Sequence, residues 1–365
     1  MLYHTVDPVF PHFRGLSTTH GRLLDLGFIA VSFFFTLSGY ILTVSYLPRK
    51  VSKEKFWRAR FARVYPLFFL TLLLDAPSYL AGLVKQFGTQ MAVRITSQRI
   101  LENALMLQAW IPTFRSMDWP NWSLSVEAFF YFLCPFLLPV LARFSVSGLV
   151  TFGMVCYGMG MFAVAAVTYA HISLDILKFD PLLHLNAFLC GAALGASRFR
   201  FLLNSKYAPA LVAAALTGFV AVIHYYPSIP LPLIHDGLLV PAFSCAIIAF
   251  DCGHRRLNSL LSSGAFVLLG EASYALYLLH IPLWHVVFHL RLSHSPVAFF
   301  CYLIVVVTLS IFCFRFVETP LRKMLTDSRR ERTVSFSFGR HGETNWALTQ
   351  PDLDAAPAPI KYPLI

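Results

Sequence analysis

Charge is scarce in this chain. Charged residues make up 13% of its 365 residues, about half of the roughly 25% usual for a soluble domain, and acids are the rarer sign, 18 against 29 basic residues. So few charges on a chain that is 57% hydrophobic exclude an ordinary water-facing globule. Metal-binding patterns are missing too. The seven cysteines (134, 156, 190, 245, 252, 301 and 313) form no C-x-x-C pair, and the thirteen histidines fall in no H-E-x-x-H or comparable spacing. The cysteines therefore read as small residues of apolar helices, and no metal is expected. Met1-Leu2-Tyr3-His4-Thr5 has neither a charged n-region nor an apolar h-region, so no cleavable signal peptide is expected. Internal repeats, frequent in transporters, are absent between the two halves.

What the chain does have is apolar length. Runs of about 17 to 25 residues, enough to cross the hydrocarbon core, cover 24–47, 62–84, 123–143, 148–170, 180–197, 208–226, 237–250, 264–290 and 297–317, the eighth kinkable at Pro282. The stretch 101–112 is too short and reads as re-entrant or interfacial. The fold class is all-α, a polytopic transmembrane helical bundle of about nine spans. The net charge of +11 does not point to nucleic acid, because the basic residues sit at span ends rather than in one aromatic-laced patch. Positive-inside orientation explains them. With the loop 48–63 in the cytoplasm, alternate crossing also places Arg143, Arg198, Arg200, Lys206, Arg255, Arg256 and the tail from Arg322 there, so the C-terminus is expected to be cytoplasmic.

Two segments carry candidate chemistry. Glu127 stands inside an apolar stretch, Trp122-Ser123-Leu124-Ser125-Val126-Glu127 followed by Ala128-Phe129-Phe130. A charge at mid-membrane costs on the order of 3 kcal/mol even on insertion scales, so an intramembrane acid usually faces a bundle interior or cavity. Arg60 and Arg63 lie one helical turn apart before the second span and share a face. Guanidinium forks at that spacing suit bidentate capture of a phosphate or pyrophosphate at the bilayer edge, whereas Lys55 and Arg58 read as anchors of the positive-inside kind.

Four ordered blocks resemble the acyltransferase 3 family of integral membrane O-acyltransferases over residues 3 to about 325. GFIAVSFFFTLSGYIL (27–42) resembles its Gly- and Phe-rich second helix, RFARVYP (60–66) its Arg-x-x-Arg junction, and NWSLSVEAFFYFLCP (121–135) its Trp-Ser-Leu-x-x-Glu helix. LGEASYALYLLHIPL (269–283) with FVETPLRK (316–323) resembles its C-terminal signature. The resemblance implies transfer of an acyl group, commonly acetyl, from a coenzyme A thioester to a hydroxyl, often on a cell-surface sugar. It also implies about ten helices and a bacterial inner membrane. Tyr3-His4 matches the end of the family's first-helix pattern, in which an arginine, ten intervening residues and a catalytic histidine follow one another. That arginine would fall before Met1, so the chain is expected to lack most of the first helix, through a start set too far downstream or through truncation.

The resemblance gives His4 the role of general base toward the acceptor hydroxyl, with either Asp7 or Glu127 stabilising its imidazolium. Arg60 and Arg63 would hold the phosphates of acyl-CoA, the donor substrate, with no bound cofactor. Trp122, Ser123, Tyr277 and His280 are candidates for the substrate cavity, although Trp122 also suits a lipid interface and His280 suits hydrogen-bonded packing. Ser38 and Gly39 read as helix packing, His184 as a packing histidine, and His12, His20, His285, His289 and His294 as interfacial. Glu318 is expected to pair with Arg315 or Arg322. Residues 1–325 form the membrane domain, and the polar tail 326–365 is expected to be disordered. Within it Arg340-His341-Gly342-Glu343 looks like a phosphatase signature without the domain to use it. The expected partners are the lipid bilayer, acyl-CoA and a carbohydrate or glycoconjugate acceptor. A flippase for a lipid-linked sugar and an inactive truncated relative are the competing readings.

Overall fold

The computed structural model describes residues 26–49, 51–111, 116–172, 178–200, 205–252, 259, 261–292 and 295–327. His4, Asp7, His12, His20, Arg255, Arg256, His294 and the tail beyond 327, of which the sequence raised expectations, lie outside the described residues. The described elements are helical: α1 (Ile29–Tyr46), α2 (Lys53–Phe87), α3 (Thr89–Ala104), α4 (Trp122–Leu141), α5 (Val146–Tyr169) and α6 (Leu185–Arg198). They continue as α7 (Ala208–Tyr225), α8 (Leu231–His235), α9 (Val240–Asp251), α10 (Gly264–His289), α11 (Pro296–Cys313) and α12 (Thr319–Asp327). Serines start several of them: the hydroxyls of Ser52, Ser145 and Ser295 accept from the backbone N–H three residues on, the usual N-cap arrangement. Pro66 and Pro77 lie inside α2, Pro135 and Pro139 inside α4, and Pro282 inside α10. None of the five ends its helix, since packed neighbours in a membrane bundle compensate the freed carbonyls.

Eight segments among the described residues are long and apolar enough to cross a membrane. This is an integral membrane protein. The difference from nine lies in α6. It has 14 residues, about 21 Å of helix, against a hydrocarbon core of about 30 Å. Yet α6 is tied at both ends to elements that do cross. At its start His184 meets Asp236, just before α9, and at its end Arg198 meets Asp251, the last residue of α9. Arg200 then donates to the carbonyl of Ala142 beyond the end of α4, at 2.5 Å. A helix enclosed by protein needs no lipid-facing apolar length.

Close backbone contact holds α6 against α1. A Cβ on Gly191 would overlap the carbonyl of Thr36, one on Gly195 would come to 2.7 Å from the carbonyl of Tyr40, and one on Gly39 would overlap the carbonyl of Phe188. Gly191 and Gly195 form a small-x-x-x-small seam that lets the two backbones touch. The pairings Thr36 with Gly191 and Tyr40 with Gly195 make α1 and α6 parallel. By the same reasoning α2 and α10 are parallel, because Tyr274 donates to the carbonyl of Val64 and His285 meets Asp75. Each parallel pair agrees with alternate crossing of the chain. One face thereby collects Arg49, Lys55, Arg58, Arg143 and Arg198, and the other the α2–α3 turn and the segments preceding α4, α6 and α8. These are called the basic face and the opposite face below.

Candidate functional site

The polar side chains of the interior divide into a group toward the basic face and two groups toward the opposite face. The first is built on α1, α2 and α4. Glu127 is 4% exposed. Its carboxylate accepts from the Tyr131 hydroxyl one turn further along α4, and the Ser38 hydroxyl of α1 lies within its hydrogen-bonding reach. Arg60 donates to the Tyr46 hydroxyl at 3.1 Å, with its guanidinium 5.5 Å from the Tyr46 ring centre and 5.9 Å from that of Tyr131. Its Nε is buried without a partner. The indole of Trp57 fixes this corner by donating to the carbonyl of Tyr131 at 3.1 Å. Beside it a cavity of about 210 Å³ opens between α2 and α4, walled by Trp57, Val64, Tyr65, Leu124 and Phe132, with Arg60 and Tyr131 as its polar members.

Arg63 behaves differently from Arg60. It forms an ion pair with Glu318 of the π turn before α12, across 255 residues of sequence. This corrects the expectation that Glu318 pairs with Arg315 or Arg322. The π turn Phe314–Glu318 rotates the buried acid away from its helical neighbours and toward α2. One oxygen of Glu318 takes Arg63, while the other is buried without a hydrogen bond. Arg63 therefore anchors the last helix to α2, whereas Arg60, on the cavity side, makes its hydrogen bond among the described residues to the neutral Tyr46 hydroxyl.

The second group lies between α2, α4 and α10. The hydroxyls of Tyr277 and Ser123 both reach the carbonyl of Pro120, at 2.5 and 3.2 Å, and lie 2.7 Å from each other, so they share their protons among these three oxygens. His280 donates from Nδ1 to the carbonyl of Tyr277 at 2.6 Å, and its own carbonyl accepts from Tyr302 at 2.6 Å. Nearby, Asp75 binds His285 at 2.7 Å through one oxygen and leaves the other buried and unpartnered. Among the described residues, both oxygens of buried Asp118 and both side-chain polar atoms of Asn121 have no hydrogen-bond partner. Burial, with repulsion from Asp75 second, pushes Asp118 well above the usual carboxylate range.

The third group sits across Trp122. His184 and His235 lie 5.0 and 5.6 Å from the Trp122 ring, and both reach Asp236. Trp122 is 6% exposed and packs on Phe35 as well. It is thus an interior wall shared by the polar groups rather than an interfacial anchor.

The structure brings together six of the expected residues toward two sites: Arg60 with Glu127, and Trp122, Ser123 and Tyr277 with His280. Asp75, Asp118, Tyr131, His235 and Asp236 were not foreseen. Asp75 carried the same signal as Glu127, an acid within an apolar run. His285 pairs with it although its position suggested the interface.

A family model described as an acyltransferase domain matches residues 1–315. The chain is 29% identical to Acyltransferase MdmB of Streptomyces mycarofaciens over 281 residues, 71% of this chain and 68% of that protein. It is 22% identical to O-acetyltransferase OatA of Staphylococcus aureus over 335 residues, 83% of this chain and 54% of that one. With the putative peptidoglycan O-acetyltransferase YrhL of Bacillus subtilis it shares 25% over 325 residues, 81% and 50% of the two lengths. The chain therefore spans about half the length of the latter two relatives. No solved structure matches it.

Proposed function

The chain belongs to the acyltransferase 3 family, and from that membership we propose that it transfers an acyl group, acetyl in the simplest case, from acyl-CoA to a hydroxyl of a carbohydrate or glycoconjugate. Relatives named O-acetyltransferases support an oxygen acceptor. The observation that carries the reading is the pairing of Arg60 with an apolar cavity beside Tyr131 and Glu127. Such a site has a cation for a phosphate and an apolar wall for the arm that brings the thioester inward. Arg63, engaged by Glu318, contributes less to the donor than Arg60 does. The basic face is the cytoplasmic one in this reading, where acyl-CoA is available, and the membrane is the bacterial inner membrane.

In the reaction the acceptor oxygen attacks the thioester carbonyl, the carbon–sulfur bond breaks, and the hydroxyl proton passes to the departing thiolate by way of a general base. His4 has that role in this proposal, with Glu127 offsetting the charge the ring acquires. The acceptor enters from the opposite face, where Ser123, Asn121, Asp118 and the Asp75–His285 pair offer donors and acceptors suited to sugar hydroxyls.

The test uses purified protein in lipid nanodiscs with acetyl-CoA and a set of glycosylated acceptors, following free thiol and acetylated product together. Arg60→Ala is expected to raise KM for acetyl-CoA, and Glu127→Gln to lower kcat by about 100-fold or more. Sugar movement without thioester consumption would replace acyl transfer with transport, and an unchanged KM in Arg60→Ala would remove the donor site from this cavity.

A further inference from the structure

His184, His235 and Asp236 come from two different parts of the chain, the turn before α6 and the end of α8. One ligand atom from each lies within 4.8 Å of the others, and all three residues are buried. The Nε2 of His184 lies 3.0 Å from the carbonyl of Lys178. A carbonyl only accepts, so that nitrogen carries the hydrogen, and a neutral His184 ring presents a bare lone pair at Nδ1. That lone pair faces Oδ1 of Asp236 at 3.4 Å, while Nδ1 of His235 approaches the same oxygen at 2.7 Å. Two imidazole nitrogens thus converge on one carboxylate oxygen in a dry setting, and the second oxygen of Asp236 is buried with no hydrogen-bond partner among the described residues. A lone pair against a carboxylate is repulsive unless something positive lies between them.

The surroundings hold these atoms in place. Asn186 donates to the carbonyl of Asp236 at 3.0 Å, and Ser32 of α1 donates to that of His235. Gly237 follows with φ +137°, and a Cβ there would press on Asn186, so only glycine makes this turn comfortably. Phe28 stacks on the His235 ring at 5.2 Å. A histidine whose free N–H is bound by a backbone carbonyl, within an apolar shell, is the usual second-shell arrangement of a metal ligand.

We propose that His184, His235 and Asp236 bind a divalent transition cation, since two imidazoles and one carboxylate form a donor set that takes Zn²⁺ or Fe²⁺. The proposal does not depend on acyl transfer. It departs from the expectation drawn from sequence spacing, because no local motif joins residues contributed by separate elements.

The experiment is elemental analysis of the full chain purified in detergent without chelator, followed by removal of metal and titration with Zn²⁺ and Co²⁺. The expected result is about one ion per chain, with Co²⁺ giving the visible absorption of a low-coordinate site. His235→Ala and Asp236→Asn should weaken binding by more than the roughly 10- to 100-fold that loss of an outer-shell partner costs. His184→Gln, which keeps a polar side chain in the same space, covers the case in which a smaller replacement does not fold. A monodisperse wild-type chain that carries no metal and takes up none would overturn the proposal. So would metal retained at wild-type affinity in all three variants.

Discussion

Arg60 and Arg63 look interchangeable in sequence, one turn apart on the same helix, yet their surroundings assign them different work. Arg63 is 24% exposed at its side chain and its partner Glu318 only 2%, so the acid bears most of the desolvation. Removing the arginine leaves that carboxylate buried without its cation. Arg63→Ala should therefore cost about 3 kcal/mol, the lower end of the range for breaking a buried pair. In Arg63→Ala/Glu318→Ala the loss should shrink, because the stranded charge is gone. Thermal unfolding in detergent across the double-mutant cycle measures the coupling, and additive effects would show that the pair is not an anchor. Helical spacing ranks Arg315 and Arg322 first as partners of Glu318, and the π turn that instead presents it to Arg63 leaves no mark in composition.

Among elements, α6 depends most on its neighbours. Its helix is short, and its rigidity comes from the glycine seam with α1. Gly191→Leu would drive a side chain into the Thr36 carbonyl and separate the two backbones, an overpacking cost on the order of 3 kcal/mol. The same substitution at Gly158, where a Cβ would meet nothing within 4 Å, should leave the melting temperature nearly unchanged. Equal melting temperatures for the two variants would remove the seam as the reason α6 is held. Hydropathy predicts a span over 180–197, where the helix is only 14 residues long, since an average over a window does not distinguish a helix facing lipid from one enclosed by α1, α5 and α9. The reverse holds for α2, whose 35 residues join the Arg-bearing junction and the following span into one helix.

For the whole molecule, sidedness is the property with the widest consequence, since it decides which group meets donor and which meets acceptor. Parallel packing of α1 with α6 and of α2 with α10 makes the alternation internally consistent, and the positive-inside rule gives the expectation, tested next, that the basic face is the cytoplasmic one. In a chain whose native cysteines have been replaced, Ala142→Cys should be protected from an impermeant maleimide in intact cells. Ala170→Cys and Gln86→Cys should react. Equal labelling of Ala142→Cys and Ala170→Cys, at the two ends of α5, would break the topology. The existence and order of the apolar helices follow from local quantities, the length and hydropathy of each run, and for that reason the sequence alone determined an all-α membrane bundle and the family to which its motifs point. The partners of Glu318, the convergence of His184, His235 and Asp236, the enclosure of α6 and the separation of Arg60 from Arg63 were decided only by tertiary structure. Each depends on side chains from distant segments meeting in a dry interior, where a carboxylate or imidazole must find whatever complementary group the packing supplies.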